Sequence, residues 1–449
     1  MWPDWFRTAV KRSTSRRFRE AVRRAPWAAL AAVIRTVFYV FGLPALYLLE
    51  LIAPVRIYEL RIDHIGHLAI EPELLMRRLR LDGAGRATRV FVARGAPANR
   101  QLFEMWKRRL RIVETHSHRV SRMFSIAKPL LMRTGFGQPM PGAFTGWAGG
   151  ERTHELMAGA GPTLAFTPEE EARGQAELRR IGVPEGAWFV PFHCRDPLYY
   201  AMLSGYTHQY ERVYRDHSID TMFDAMRWIA ARGGYAIRMG AVVEKALPDL
   251  GPRVIDYATH HRTDFMDIYL SAKARFFMGS LSGLVNVPQI FDVPFGIHNS
   301  FPCMYVTSGK IVLYVRMFLR DRKTGEILSF PEMKRRGLLQ CPPERAPEFE
   351  TQQYWDDLGL DIVHNDAEDI TNLCMDLMDQ VEGRAPHPEA VRLEAIHRML
   401  YDGVDRSPLA GRISPRFAMR HADLIEPLAG ARAELASSAL SLGRVSRGT

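Results

Sequence analysis

Two α/β domains, each built on a doubly wound parallel sheet, are what this sequence predicts, and three observations carry the prediction. The chain has 449 residues, beyond the roughly 250 to 300 at which a single core stops growing. From Val55 onward, short apolar runs of strand character alternate with amphipathic segments of helical spacing, twice over. Polar clusters stand where several of those runs end, the edge at which open sheets of this type bind ligands.

The N-terminus comes first and is of a different kind. Composition is ordinary for a folded protein, with 47% hydrophobic and 24% charged residues. Cys194, Cys303, Cys341 and Cys374 have no paired spacing, so neither a disulfide framework nor a zinc site is suggested, and a reducing compartment is expected. The net charge is +10, and residues 1 to 24 hold eight Lys/Arg against Asp4 and Glu20. The basic character is thus read as a property of an N-terminal arm, with the body near balance, which argues against a nucleic-acid groove. In "APWAALAAVIRTVFYVFGLPALYLLELIAPV", Arg35 and Glu50 are the sole charges, and the fourteen residues between them include Pro44. That is short for a span. An interfacial helix pair is expected, so residues 1–54 are read as a basic and apolar membrane-associating segment. No small-residue cleavage site follows the apolar run, which disfavours a secretory signal. The implied location is cytoplasmic, peripheral at the inner membrane.

Residues 55–165 form the first expected domain. "VRIYEL" reads as a strand, "LAIEPELLMRRLRL" as a helix, "TRVFVA" as a strand, "ANRQLFEMWKRRL" as a helix and "RIVET" as a strand. Residues 117 to 165 read as irregular loops and a crossover, because Gly and Pro crowd the stretch from Gly135 to Gly161. The second domain, 166–427, opens on Thr167, Pro168 and Glu170, an N-cap, a first-turn proline and a capping-box acid. "AWFVPFH", "YAIRMG", "RVIDYA", "ARFFMGS" and "VPFGIHN" read as its strands, with helices at "SIDTMFDAMRWIAARGG", "TDFMDIYLSA" and "GLVNVPQIF" between them. Further on, "KIVLYVRMFLRDRKTGEILSF" reads as a hairpin turning at "KTGE", and "NDAEDITNLCMDLMDQV" as a helix capped by Asn365 with Glu368 reciprocal. Residues 428–449 are Ala/Ser/Gly/Arg-rich and read as a disordered tail. Two such halves facing a cleft amount to the GT-B arrangement, preceded by the helical segment.

Three polar clusters sit at expected carboxyl ends of strands. His193, Arg195 and Asp196 in "FHCRDP" place a guanidinium fork where a phosphate would lie, or else pin the loop as an ion pair. In "FFMGSLSGLVN", Gly279 and Gly283 permit close backbone approach, Ser280 and Ser282 bring hydroxyls, and a helix starts behind them; the same residues also make an ordinary turn. Asp63, His64 and His67 surround Gly66 at the first strand-to-helix turn, where a base could act, or a cap and a packed histidine. Glu71 and Glu73 read as solvated first-turn acids. Arg238 and Gly240 close a strand, with Arg238 reaching the cleft or covering the sheet; Asp264 and Asp267 open a helix, as caps or as base and ribose ligands. No Asp-x-Asp pattern of the kind that binds a divalent ion with a nucleotide sugar is present, so no metal and no cofactor are expected.

The ordered run "FHCRDP … YRDHSIDTMFDAMRWIAARGGYAIRMG … VIDYA … TDFMDIYLSAKARFFMGSLSGLVNVPQIF", with "RIDHIGHLAIEPE" before it, resembles a bacterial family of glycosyltransferases found with surface-polysaccharide genes, over roughly residues 55 to 425. More distantly, the C-terminal half is similar to fucosyltransferases that use a GDP-sugar, which carry a His-x-Arg-x-Gly-Asp loop and serines at a helix start. His193 and Arg195 match the start of that loop, and Ser280 and Ser282 match the serine-bearing turn. Asp196 directly follows the arginine and Pro197 breaks the spacing, a departure that bears on the identity of the donor. The resemblance implies sugar transfer from a nucleotide-diphosphate donor, with Arg195 as the diphosphate contact and His193, Ser280 and Ser282 beside it. The reading of the residues themselves adds Asp196, Arg238, Gly240, Asp264, Gly279 and Gly283 around the donor, Asp63, His64 or His67 as base, and a glycan or lipid-linked acceptor. The alternative is a non-catalytic nucleotide- or glycan-binding component of a membrane-associated polysaccharide assembly complex.

Overall fold

The computed structural model describes residues 31–83, 85–141, 151–196, 198, 215–301, 308–339, 349, 351–401, 407 and 410–426. The basic arm of residues 1–24 and the tail 428–449 lie outside them. The fold class is the expected α/β, with parallel sheets in two compact units and an apolar helix ahead of the first sheet.

The first unit gathers residues up to Asp63, Ala84–Ala96 and Lys107–Met140. Its described part begins with α1, Ala31–Ile52. A pair of interfacial helices was expected here, and one continuous 22-residue helix is found, with none of its residues buried. Pro44 does not break it, because a π turn at Phe38–Gly42 precedes the ring. Proline cannot donate to the carbonyl four residues back and clashes with it, and the wider turn absorbs both effects. At about 1.5 Å per residue such a helix reaches the roughly 30 Å of a hydrocarbon core. Glu50 near its end accepts from Arg56 (2.9 Å) and from the Val55 N–H (3.1 Å), tying the helix to the first strand.

Four parallel strands follow in this unit: β1 (Val55–Leu60), β2 (Thr88–Arg94), β3 (Arg111–Thr115) and β4 (Gly137–Gln138), in the order β3-β2-β1-β4. The stretch expected to be loops contains a helix, His118–Thr134, ahead of β4, and a second, Glu151–Gly159, which belongs to the other unit. Ser117 caps the first of them and Gly135 ends it in the left-handed conformation (φ 79°). Gly135 was a correct sign of an end, but of a helix rather than a loop. The charge is not confined to the arm either: residues 31–63, 84–96 and 107–140 carry fourteen Lys/Arg against Glu50, Glu59, Asp63 and Glu114.

The second unit gathers His64–Gly83, Pro97–Trp106 and everything from Pro141 onward. Its sheet contains β5 (Phe189–His193), β6 (Tyr235–Met239), β7 (Val254–Ile255), β8 (Phe277–Ser280), β9 (Phe295–Ser300), β10 (Val312–Arg316) and β13 (Arg412–Ile413), all parallel. The order is β13-β10-β9-β8-β5-β6-β7. From β5 the chain winds outward through β6 and β7, and from β8 it winds the other way through β9 and β10. Strand alternation supplies both covering layers: Val190 and Phe192 join one core with Met226 and Ile229, while Phe189, Ile237 and Met239 join another with Met266 and Leu270.

One expectation holds in part here and one fails. The chain does turn at "KTGE", with the Asp321 N–H donating to the Glu326 carbonyl (2.9 Å), the Leu328 N–H to the Leu319 carbonyl (2.8 Å) and Arg320 bridging Ile327 antiparallel, but β10 pairs in parallel with β9, and the next strand, β11 (Phe318–Asp321), pairs with β12 (Leu360–Val363). The helix Ala367–Val381 is capped by Asp366, whose side chain accepts from the Asp369 N–H, and not by Asn365. Asn365 is buried instead and exchanges amide bonds with Asn299. The capping box of Thr167 and Glu170 is present in full.

Candidate active site

The site is built at the carboxyl edge of the seven-stranded sheet, where β5 and β8 are neighbours. They pair through Phe192 with Met278 and His193 with Gly279, then diverge in topology. An open parallel sheet has a crevice at such a switch point, because the connections leave to opposite faces. The two motifs singled out from sequence are the two strand ends that flank it. They are joined directly: the Arg195 N–H donates to Ser280 Oγ at 3.0 Å, and both residues are buried.

Behind Ser280 the chain makes a turn at Gly283–Val285 and the short helix Asn286–Ile290. Gly283 meets Gly66 at the start of α2, Ile65–Asp82. A Cβ on Gly66 would lie 2.8 Å from Gly283 Cα, and one on Gly283 would lie 2.8 Å from Gly66 N. Both glycines are required by this contact. The cap residue of α2, His64, is extended and makes no side-chain capping bond, and neither does Ser282 at its turn. Ser282 Oγ is buried with no hydrogen-bond partner among the described residues. An 18-residue helix thus begins with first-turn N–H groups that no side chain caps, beside a buried hydroxyl and the loop of Arg195. That arrangement suits an anion with several oxygens.

Arg195 is 8% exposed and forms an ion pair with Asp216 at 3.0 Å. Burial pushes the Asp216 carboxyl up, opposed by the arginine. His217 donates its backbone N–H to the Arg195 carbonyl at 3.2 Å. Its ring lies between those of His298 (5.7 Å between centroids) and His364 (4.6 Å), and neither ring nitrogen has a hydrogen-bond partner among the described residues. Burial holds the His217 imidazole well below its ordinary value, His298 down to about 3 and His193 down to about 4, so these rings are neutral near pH 7. His298 is fixed by Asn299 Nδ2 on its Nδ1 (3.0 Å), and its Nε2 meets the His193 carbonyl at 3.4 Å. Asn299 adopts a left-handed conformation (φ 51°), held by the exchange with Asn365. Among the described residues, no group of three or more His, Cys, Asp or Glu is placed to hold a metal ion.

The remaining sequence-derived residues fall in three settings. His193 ends β5, with Nδ1 3.5 Å from the Met239 carbonyl. Asp196 accepts from the N–H groups of Leu198 and Glu244, so it ties its own loop to the one after β6. Arg238 is buried against the Lys245 carbonyl (2.7 Å) and Asp256 (3.3 Å), which engages it in the sheet's cover. Gly240 and Gly279 are needed for packing, since a Cβ would lie 2.6 Å from Val243 and 2.8 Å from the Phe277 ring respectively. Asp264 accepts from Arg262 and from the Arg100 N–H, and Asp267 accepts from Arg262 and Tyr257. Asp63 is exposed and ends a segment of the first unit.

At the start of α2, His67 Nδ1 lies 2.5 Å from Glu71 Oε1, and the His64 and His67 rings meet edge to face at 5.9 Å. Glu71 and Glu73, expected to be solvated, are both buried. Glu73 accepts from Arg77 Nε (2.7 Å) and the Thr163 N–H (3.0 Å), while Arg77 also reaches Asp292 (2.8 Å) and the Met157 and Ile290 carbonyls. His67 one turn away makes burial tolerable for Glu71, and Arg77 with the distant Thr163 does so for Glu73. Pro72 lies inside the same helix, and the Leu68 carbonyl it cannot serve accepts from the Trp106 indole at 2.8 Å. Sequence reasoning missed His217, His298 and Asn299, although "FGIHNS" does end a strand in three polar residues.

No protein-family model matches the chain, and no curated protein matches it. Among solved structures, the glycosyl transferase family 9 from Veillonella parvula DSM 2008 is similar over 59% of this chain and 86% of its own, at 10% identity and a TM-score of 0.37. The E. coli ADP-heptose lps heptosyltransferase II is similar over 66% and 97%, at 12% identity and 0.34. The E. coli heptosyltransferase WaaC, solved with ADP, is similar over 58% and 93%, at 12% identity and 0.31. At these scores the likeness carries no argument about chemistry, and the functional reading rests on this chain's own residues at the β5–β8 switch point.

Proposed function

We propose that the chain is a glycosyltransferase that moves a sugar from a nucleotide-diphosphate donor to a glycan or lipid-linked acceptor at the cytoplasmic face of a membrane, in surface-polysaccharide synthesis and without a metal ion. The observation that carries the reading is the meeting, at one topological switch point, of Arg195, the Ser280–Gly283 turn and the uncapped start of α2.

Negative charge grows on the diphosphate as the glycosidic bond to it breaks. Arg195 and the N–H groups behind Gly66 and Gly283 are donors already aimed at that charge, and preorganised donors of this kind are worth about 3 to 4 kcal/mol each in a transition state. The acceptor hydroxyl must lose a proton as it attacks. Of Asp63, His64 and His67, His67 is the best supported base, because buried Glu71 holds its Nδ1 and so orients the ring. The exposed helix α1 supports attachment to the membrane that carries the acceptor.

The test is a thermal-shift panel of GDP, UDP, CDP and ADP with the wild type and Arg195→Ala. One diphosphate should raise the melting temperature of the wild type, and the variant should lose that shift while keeping its own transition. His67→Gln should retain the shift and lose roughly a hundredfold or more in transfer rate. A wild type that responds to none of the four sinks the proposal.

A further inference from the structure

The first unit carries a formal +10 over residues 31–63, 84–96 and 107–140, whereas the second carries more acids than bases. Within the first unit we label as α4 the helix His118–Thr134, whose seventeen residues include Arg119, Arg122, Lys128 and Arg133 and no acid. Lys128 is matched by Glu59, which also accepts from Arg94. Arg119, Arg122 and Arg133 are exposed, and so are Val120 and Met123 beside them. Arg119 and Met123 are four apart, and Arg119 and Arg122 three apart, so they share one face of the first two turns.

The placement of Arg119 is informative because it opposes helix stability. The N-terminal end of a helix carries partial positive charge, and cations there are unfavourable by a few tenths of a kcal/mol. Arg119 stands in the first turn, which holds no acid. Exposed apolar side chains among exposed arginines, on a helix without acids, match an anionic bilayer surface, where headgroups meet the charges and the apolar groups enter the interface.

Continuity within the unit points the same way. Tyr47 of α1 packs edge to face on Phe136 at 5.2 Å, and Phe136 follows directly on Gly135, the cap of α4. Phe136 also accepts from the Ile57 N–H through its carbonyl (2.7 Å). The end of α4 is therefore fastened to the exposed apolar helix.

We propose that α4 is a second membrane contact of this protein, an interfacial helix that binds anionic lipid headgroups through Arg119, Arg122 and Arg133 while α1 engages the hydrocarbon. The assignment rests on the membrane reading of α1, and the experiment separates the two. Full-length protein is partitioned onto vesicles of pure phosphatidylcholine and onto vesicles that also contain phosphatidylglycerol, as wild type and as Arg119→Ser/Arg122→Ser/Arg133→Ser. The variant should bind neutral vesicles as the wild type does. On anionic vesicles it should bind up to a hundredfold more weakly, and its binding should respond less steeply to salt. Equal anionic preference in both proteins overturns the role of α4 and leaves α1 standing. A wild type that ignores both kinds of vesicle overturns both. Charge-dependent loss of binding to duplex DNA in the same pair of proteins, with vesicle binding unchanged, would assign the face to a nucleic acid instead.

Discussion

The two units handle charge in opposite ways. The first holds fourteen Lys/Arg against four acids in residues 31–63, 84–96 and 107–140, and its arginines on α4 are exposed. The second takes charges inside and matches them: Arg77 with Glu73 and Asp292, Arg238 with Asp256, Arg262 with Asp267, and Arg416 with Asp376. A charge that leaves water needs a partner and further hydrogen bonds, while an excess of one sign must stay outside. The second is organised around a buried polar edge, and the first around a charged exterior.

Breaking a buried partnership should therefore have the largest effect. Arg77 and Glu73 are both fully buried, and burial pushes the Glu73 carboxyl up while Arg77 and Thr163 pull it down. Arg77→Met keeps much of the volume and removes the partner, leaving a carboxylate that must stay charged without compensation or take up a proton. A loss of about 3 to 5 kcal/mol is expected in urea unfolding. A loss below 1 kcal/mol would mean that the network adds specificity and little stability.

The strand ends that flank the site, "FHCRD" and "GSLSG", were legible because a run of apolar residues followed by polar and small ones is a local signal. The capping box at Thr167 was legible for the same reason. What stayed hidden depends on partners remote in sequence. Glu73 looks like any first-turn acid until Thr163 and Arg77 are seen around it, and Gly66 looks like a turn residue until Gly283 is seen against it. The switch point itself follows from strand order, which no single stretch encodes. The charge of the first unit escaped notice because its segments are interleaved with segments 64–83 and 97–106 of the second, so averaging along the chain dilutes it. The Arg195–Ser280 bond explains why two motifs 85 residues apart belong to one reading.

A smaller effect should appear on acidification, and its sign follows from the buried histidines. His298 is held down to about 3 and His193 to about 4, mainly by burial, against an ordinary value near 6.5. A group depressed in the folded state lends stability that is present above its unfolded value and is lost as pH falls toward its folded one. Stability of the second unit should thus decline between pH about 6.5 and about 4, by up to 1.4 kcal/mol per pH unit for each ring. Asp267, raised to about 6 mainly by burial, works in the opposite direction over the same window. His298→Gln isolates the histidine: its urea midpoint should fall less steeply with acid than that of the wild type. Parallel curves for the two proteins would show that His298 is not the group being titrated.

Removing charge from the first unit should change stability least, with any change upward, which sharpens the contrast most. Arg119 and Arg122 are both exposed, Arg119 in the first turn where cations are disfavoured, and substitutions at exposed sites usually stay within about 0.5 kcal/mol. Arg119→Ser/Arg122→Ser should therefore unfold at the same urea concentration as the wild type or slightly above it. If it instead loses 2 kcal/mol or more, as a buried partnership would, these arginines serve the fold of the first unit, and its positive charge is structural in the way that Arg77 is. If stability holds, the cation at Arg119 is kept at the unfavourable end of the helix for something other than the fold, and the vesicle experiment reads what that face meets.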